Sequence, residues 1–412
     1  MTPRLALFRD PSFSRLFSAR LVSAFGTPMA PVALPFAVLE DLGGSARDVG
    51  LVIAAASAAQ VLVQIFAGAL ADRGSRRTQM VAADVTAALA QGSIALLLTL
   101  GHASLPALML LQLVIGTAYA LHHPALVGLV PLVVERERLQ SANALLAIAN
   151  STAMGLGAAV AGLVAARLGA RYALAIDAAT FVASALLISG VRARPQEKTQ
   201  SESLFAELRG GWREFTRHRW LWTIVLQFTV MLIGWFGTFT VVGPVVAQRS
   251  LGGATAWGTI VGAQGLGLLA GGLVVLRARF SRPILAATLM CFAPALLPLA
   301  LIAPLPVTSI AAAAFVAGMC GEIFSVLWYT ALHTHVAPAA LSRVSAYDAV
   351  GSIALVPLGE VLAGFAIESF GAPVTLAAAC AAIVVPTAAV LFVPEVRQLR
   401  APAPDPPPAS AD

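Results

Sequence analysis

One carboxylate, Glu322, stands about midway along an otherwise apolar run at 307–332. A charge at that depth costs roughly 2.5–3.5 kcal/mol on insertion scales. No lysine or arginine is expected at matching depth in any other apolar run. A buried carboxyl that gains and loses a proton is what proton coupling requires. A neutral, hydrogen-bonded structural glutamate and an attractor for cationic substrate are the alternatives. The same run carries Ser325, Tyr329 and His333 at +3, +7 and +11, one face of a helix. The run at 105–130 carries Gln112, Gly116, Tyr119 and His123 in nearly the same pattern. Gln112 and Glu322, Tyr119 and Tyr329, and His123 and His333 are each separated by 210 positions, in a chain with 4 Tyr and 6 His. That interval points to two related halves. Polar residues on a lipid-facing helix must turn toward a cavity or a partner, so both stripes are expected to line a central path. For the two histidines, near run ends, interfacial anchoring is the alternative. Gln227, Met231, Gly234 and Thr238 give a third such face, with Trp235, Phe236, Trp328 and Tyr329 offering apolar contact.

Other chemistries find no residues. Cys291, Cys320 and Cys380 lie inside apolar runs without metal-ligand spacing and read as packing. His122 and His123 are adjacent and face different ways, and no Ser/His pair or aspartate dyad suggests hydrolysis. No phosphate-cradling glycine loop is present, so ATP is not the expected energy source. The reading is not an enzyme, with no cofactor and no metal.

The elements that must position these residues are membrane helices. The 412 residues are 58% hydrophobic and 11% charged, with mean hydropathy +0.85, whereas soluble domains carry about 25% charged residues. Apolar runs occupy 16–39, 49–71, 80–100, 105–130, 141–166, 172–191, 220–246, 256–276, 283–302, 307–332, 344–367 and 373–393. Each approaches the ~20 residues that a helix needs to cross the hydrocarbon core. Barrel strands would be half as long and alternate in polarity. The expected class is an all-α membrane protein with twelve transmembrane helices in two pseudo-symmetric six-helix bundles, at 1–191 and 220–394. A cytoplasmic linker at 192–219 holds an amphipathic helix from 204, and 395–412 is a disordered tail. Of 26 Lys and Arg residues, all but Arg47, Arg167, Arg171 and Arg249 fall in loops and tails on one side, Arg20 among them. The positive-inside rule makes that side, with both termini, cytoplasmic. The net charge of +6 is scattered over these loops and carries no nucleic-acid signal.

Four further acids have local explanations. Asp84 and Asp348 are placed near helix starts, where the dipole favours them. Asp177 and Glu368 are placed toward the outer face, within reach of water. Glu360, two turns inside the eleventh run, is a second proton candidate.

Between the second and third runs stands Gly68-Ala-Leu-Ala-Asp72-Arg73-Gly74-Ser-Arg76-Arg77. This resembles the G-x-x-x-D-[RK]-x-G-[RK]-[RK] loop of the major facilitator superfamily, matching at Gly68, Asp72, Arg73, Arg76 and Arg77, with the second glycine one position early. The stretches Pro124-Ala-Leu, Leu139-Gln-Ser-Ala-Asn143 and Ile176-Asp177-Ala are similar to a bacterial exporter branch of siderophore, macrolide and multidrug efflux proteins. Two departures stand out. The family's R-x-x-Q-G pattern falls on Gln112-Leu-Val-Ile-Gly116, with glutamine for arginine. Ala158 stands where the antiporter branch has proline.

The resemblance implies a secondary transporter of the plasma membrane, working by alternating access. Asp72 and the loop arginines would act as a conformational latch, and helices 1, 4, 7 and 10 would surround the substrate. The expectation is proton-driven export of a small amphipathic drug or metabolite by a monomer. Glu322, Gln112, Tyr119, His123, Tyr329, His333, Gln227 and Trp235 would lie on the substrate and proton pathway. Uptake by symport or uniport, and a sensor or scaffold without transport, are the alternatives.

Overall fold

In a bilayer the backbone finds no water, so its N–H and C=O groups must be satisfied within each crossing segment. The computed structural model describes residues 5–135, 138–194, 212–278, 280–303, 305–336 and 338–399, and among these the regular structure is helical throughout. The first half comprises α1 (Pro11–Asp41), α2 (Ala46–Arg73), α3 (Arg76–Thr99), α4 (Leu105–Val133), α5 (Leu139–Leu168) and α6 (Ala170–Ser189). The second begins with α7 (Arg219–Leu251), α8 (Ala254–Val275), α9 (Pro283–Ile302) and α10 (Val307–His335). Then Tyr347–Val390 runs as one helical stretch of 44 residues. At 1.5 Å per residue that is about 66 Å, twice the ~30 Å hydrocarbon core. Gly371 breaks it with φ 80°, and Gly169, between α5 and α6, has φ 102°. Glycine adopts this region without Cβ strain. The stretch is therefore two crossings, α11 (338–370) and α12 (372–390), and the expected twelve are present.

Proline and glycine shape the helices lining the middle. α1 turns at Thr27–Pro28 and carries a π-helical segment at Ala37–Asp41. α7 has π-helical segments at Gly237–Val242 and Ala247–Leu251. Such turns re-aim side chains within an otherwise continuous helix.

Close glycine approaches define the internal register. Gly116 of α4 lies on the Ala56 carbonyl of α2, and Gly318 of α10 lies on the Gln264 carbonyl of α8. Gly26 of α1 abuts Asp177 and Thr180 of α6; Gly234 of α7 abuts Ala379 and Ala382 of α12. The two halves are thus repeats, with α4 and α10 offset by 202 positions. The 210-position pairing of Gln112 with Glu322 is corrected accordingly. Its members sit eight residues out of register, roughly 12 Å along the helix.

The halves meet where α5 crosses α8 and where α2 crosses α11. A Cβ on Gly162 would stand 2.5 Å from the Ala254 carbonyl oxygen and 2.7 Å from the Gly258 Cα. On the other seam a Cβ on Gly50 would stand 2.6 Å from the Glu360 carbonyl oxygen, and one on Gly364 would stand 2.8 Å from that of Ala46. At this end one apolar cluster runs through both halves, joining Met29, Phe36 and Val49 to Val241, Trp257 and Ile310. At the other end, which carries Leu7 and Val396, each half has its own cluster, around Phe13 and Leu129 or around Trp220 and Phe324. The bundle is sealed at one end and divided at the end near its termini.

Of the expected amphipathic linker helix, residues 212–217 are helical, and 195–211 lie outside the described residues. Trp212 and Phe215 pack on Tyr347 of α11 at 5.5 and 5.8 Å. The tail is corrected at its start: Pro394–Gln398 is a helical turn, and Glu395 accepts from the Trp220 N–H at 2.9 Å, satisfying a free donor at the start of α7.

Gly162→Val should lower the stability of the sealed end by about 1–3 kcal/mol, the usual cost of overpacking. Thermal unfolding in detergent measures it, and an unchanged midpoint would contradict the contact.

Candidate functional site: a divided cleft with a charged cluster in one half

The C-terminal half opens a cavity of about 330 Å³ among α7, α10 and α11, lined by Phe228, Phe324, Trp328, Tyr329, Asp348 and Ser352, with Gln64 of α2 reaching in. Phe228 and Phe324 stack at 4.5 Å, and Phe324 stacks on Trp328 at 6.0 Å. Tyr329, 52% exposed, is part of this wall. The Trp328 indole N–H donates to Asp348 Oδ2 at 3.0 Å. Asp348 is therefore not at a helix start as expected. It stands ten residues beyond Pro338, buried, as the acid of the aromatic wall.

The N-terminal half carries a second cavity of about 390 Å³, bounded by Arg20, Asn143 and Asn150 with Leu126, Val130 and Leu146. Behind Arg20 lies a buried cluster that the sequence reading missed. Asp84, 2% exposed, accepts from Ser184 Oγ of α6 at 2.6 Å. His122 Nε2 of α4 stands 3.3 Å from Asp84 Oδ1, and Arg20 of α1 lies within electrostatic reach of Asp84. Arg20 is no loop residue, since α1 begins at Pro11. Asp84 is not in a first turn, since α3 begins at Arg76. Asp177 is also corrected. It is fully buried against Gly26 rather than reaching water, and among the described residues neither carboxyl oxygen has a hydrogen-bond partner. The signal available was the density of polar types at facing positions of α1, α3, α4 and α6. It is invisible until the helices are paired.

The expected pathway residues scatter. Glu322 is half-buried, with its Cβ and Cγ beside Gly271 and Gly272 of α8, on the flank of α10 away from Trp328. Gln227 is buried and donates to Thr387 Oγ1 at 3.0 Å, tying α7 to α12. Gln112 is buried. Tyr119 packs on Phe181 of α6 at 5.9 Å, and Trp235 stacks on Phe239 at 5.2 Å beside the sealed cluster. His123 and His333 are exposed. Glu360 is 1% exposed and accepts from Thr240 Oγ1 of α7 at 3.3 Å, at the seam between the halves. Glu368 is exposed and accepts from the Arg47 N–H at 3.0 Å.

In the loop motif, the side chains of Gly68, Asp72 and Arg73 lie outside the described residues. The Arg76 guanidinium lies on Gly128 of α4. Arg77 donates to the Val191 carbonyl at 3.3 Å and to that of Ser189 at 3.5 Å, and Arg15 donates to the Gly190 carbonyl. Both arginines thus cap the end of α6, where cations suit the dipole and the free carbonyls.

A twelve-helix bundle of two repeats around a cleft is the architecture of a membrane transporter. Residues 16–339 match the family model described as Major Facilitator Superfamily, and the chain belongs to that family. It is 26% identical over 370 residues to the enterobactin exporter EntS of Shigella boydii, covering 85% of this chain and 86% of that protein. It is also 26% identical over 200 residues to the uncharacterized MFS-type transporter YkuC of Bacillus subtilis. That match covers 48% of this chain and 46% of YkuC, under half of that relative's length. Among solved structures, a mutant of the nucleoside transporter NupG superposes with TM-score 0.75 at 14% identity, covering 92% of this chain and 99% of that one. A bacterial homologue of the human lysosomal transporter Spinster, in an inward-facing and unoccupied conformation, superposes with TM-score 0.62 at 15% identity, covering 96% of each chain. At these identities the solved structures share the fold.

Trp328→Phe removes the indole donor to a buried carboxylate and should cost about 1–3 kcal/mol. Thermal unfolding reads the loss, and an unshifted transition would show that the bond contributes nothing.

Proposed function

We propose that this chain exports a small amphipathic molecule across a bacterial plasma membrane in exchange for protons, with both termini cytoplasmic, no cofactor, and the monomer as the working unit. The observation that carries the reading is the divided cleft. A single apolar cluster closes one end across both halves, while at the terminal end an aromatic wall with Asp348 and a polar wall with Arg20, Asn143 and Asn150 stand in separate cores. Phe228, Phe324 and Trp328 offer ring faces to an apolar body, and Asp348 and Tyr329 can hold a polar tip. The likeness to the enterobactin exporter over most of both chains supports the outward direction. In the alternating cycle, the seams at Gly162–Gly258 and Gly50–Glu360 would part as the terminal end closes. Uptake through the same cleft is the second reading, because a cleft divided at one end is a stage of transport in either direction.

The test is accumulation of a panel of fluorescent amphipathic compounds in cells stripped of their own exporters, with and without this protein, before and after a protonophore. Lower accumulation that the protonophore abolishes is expected; raised accumulation would establish uptake instead. In the same assay Asp72→Asn should slow flux with little loss of folded protein, and unchanged flux would remove the loop from the conformational cycle.

A further inference from the structure

Internal symmetry shows what the fold does and does not require. Gly26 and Gly234 occupy matching places in α1 and α7, as do Gly116 and Gly318 in α4 and α10. Counting back six residues from the first pair sets Arg20 opposite Phe228. Counting on six from the second sets His122 opposite Phe324. In the C-terminal half these two positions are the aromatic stack at 4.5 Å, and α9, the counterpart of α3, contains no acid. The same architecture is therefore filled there by apolar side chains. The N-terminal half instead carries an arginine, a histidine and a buried aspartate, groups that are costly in this setting and are not needed to build the bundle.

We propose that Asp84 and His122 form a proton-binding site, one proton being held between Asp84 Oδ1 and His122 Nε2, and that Arg20 carries the resulting change of charge to the cleft. The inference rests on the exchange reading above for its role, though not for its existence. The geometry is specific. The two atoms are 3.3 Å apart, and His122 Nε2 is buried without an aligned hydrogen bond. Ser184 fixes the other aspartate oxygen at 2.6 Å. Arg20 borders both the enclosed space beside His122 and Ser184 and the open cavity with Asn143 and Asn150. Of the other titratable groups, Tyr119 of α4 lies within electrostatic reach of Asp84 and His123 within reach of His122, while Asp177 of α6 lies within reach of Tyr119. When the pair is unprotonated, the Asp84 carboxylate offsets the Arg20 charge. When a proton arrives, that compensation is lost and the N-terminal wall becomes more positive. A bound cation is then held less tightly, which is the competition that exchange needs.

The experiment is infrared difference spectroscopy of the full chain in lipid nanodiscs, stepped between alkaline and acidic buffer, with protons as the only ligand. A protonated-carboxyl band should appear in the wild type, be lost in Asp84→Asn and move in frequency in His122→Gln. His122→Gln keeps the test open if Asp84→Asn fails to fold. A band unaltered by both substitutions would overturn the proposal, as would its disappearance in Glu322→Gln. The readout is independent of any substrate. A wild type that exports nothing from the panel yet shows the Asp84 band would defeat the exporter reading and leave the proton site standing. Protonophore-sensitive export with a band indifferent to Asp84 would do the reverse.

Discussion

The structure depends on a few places where helix backbones touch without side chains between them. Across each half, Gly116 on Ala56 and Gly318 on Gln264 hold neighbouring helices at the closest approach that the backbone permits. Between the halves, Gly162 with Gly258 and Gly50 with Glu360 do the same. In lipid no hydrophobic force drives helices together, so close packing of small residues must supply the attraction. The contacts between halves follow these two helix pairs, while the apolar cores at the terminal end stay separate. A seam of this kind can open when the opposite end closes.

The two halves share one architecture and diverge in chemistry. Where the C-terminal half stacks Phe228 on Phe324, the N-terminal half places Arg20 beside His122 and Asp84. Where Ala379 packs on Gly234, Asp177 packs on Gly26. At the cleft one repeat supplies ring faces and the buried acid Asp348, the other a cation backed by buried acids. The difference cannot come from the demands of folding, since both versions fill the same places in the same bundle. It gives the cleft two walls of unlike character.

The histidine and aspartate of the cluster illustrate why paired helices matter more than single stripes. His122 and His123 are adjacent, and the reading from spacing favoured His123 because it continues the face of Tyr119. The structure exposes His123 and turns His122 inward to Asp84. The helical period is real on both faces. Which face is wet depends on the neighbours, and α4 is flanked by α2 on one side and α3 on the other.

The sequence by itself determined the membrane class, the twelve crossings and the family. Each follows from local properties, namely run length against bilayer thickness and a short loop motif. It also placed Trp328, Tyr329 and Asp348 of the C-terminal wall on the tenth and eleventh runs, though it assigned Asp348 to a helix end and did not single out Phe228 or Phe324. The tertiary structure decided everything that depends on register between helices. It replaced the 210-position repeat with 202 for the tenth helix, moved Arg20 from a loop into α1, and turned Gln227 toward Thr387. It brought Arg20, Asp84, His122 and Ser184 together from four helices. The physical reason is that a helix shows its period in sequence, whereas its rotation and depth are fixed by the glycines and side chains of its neighbours, which lie far away along the chain.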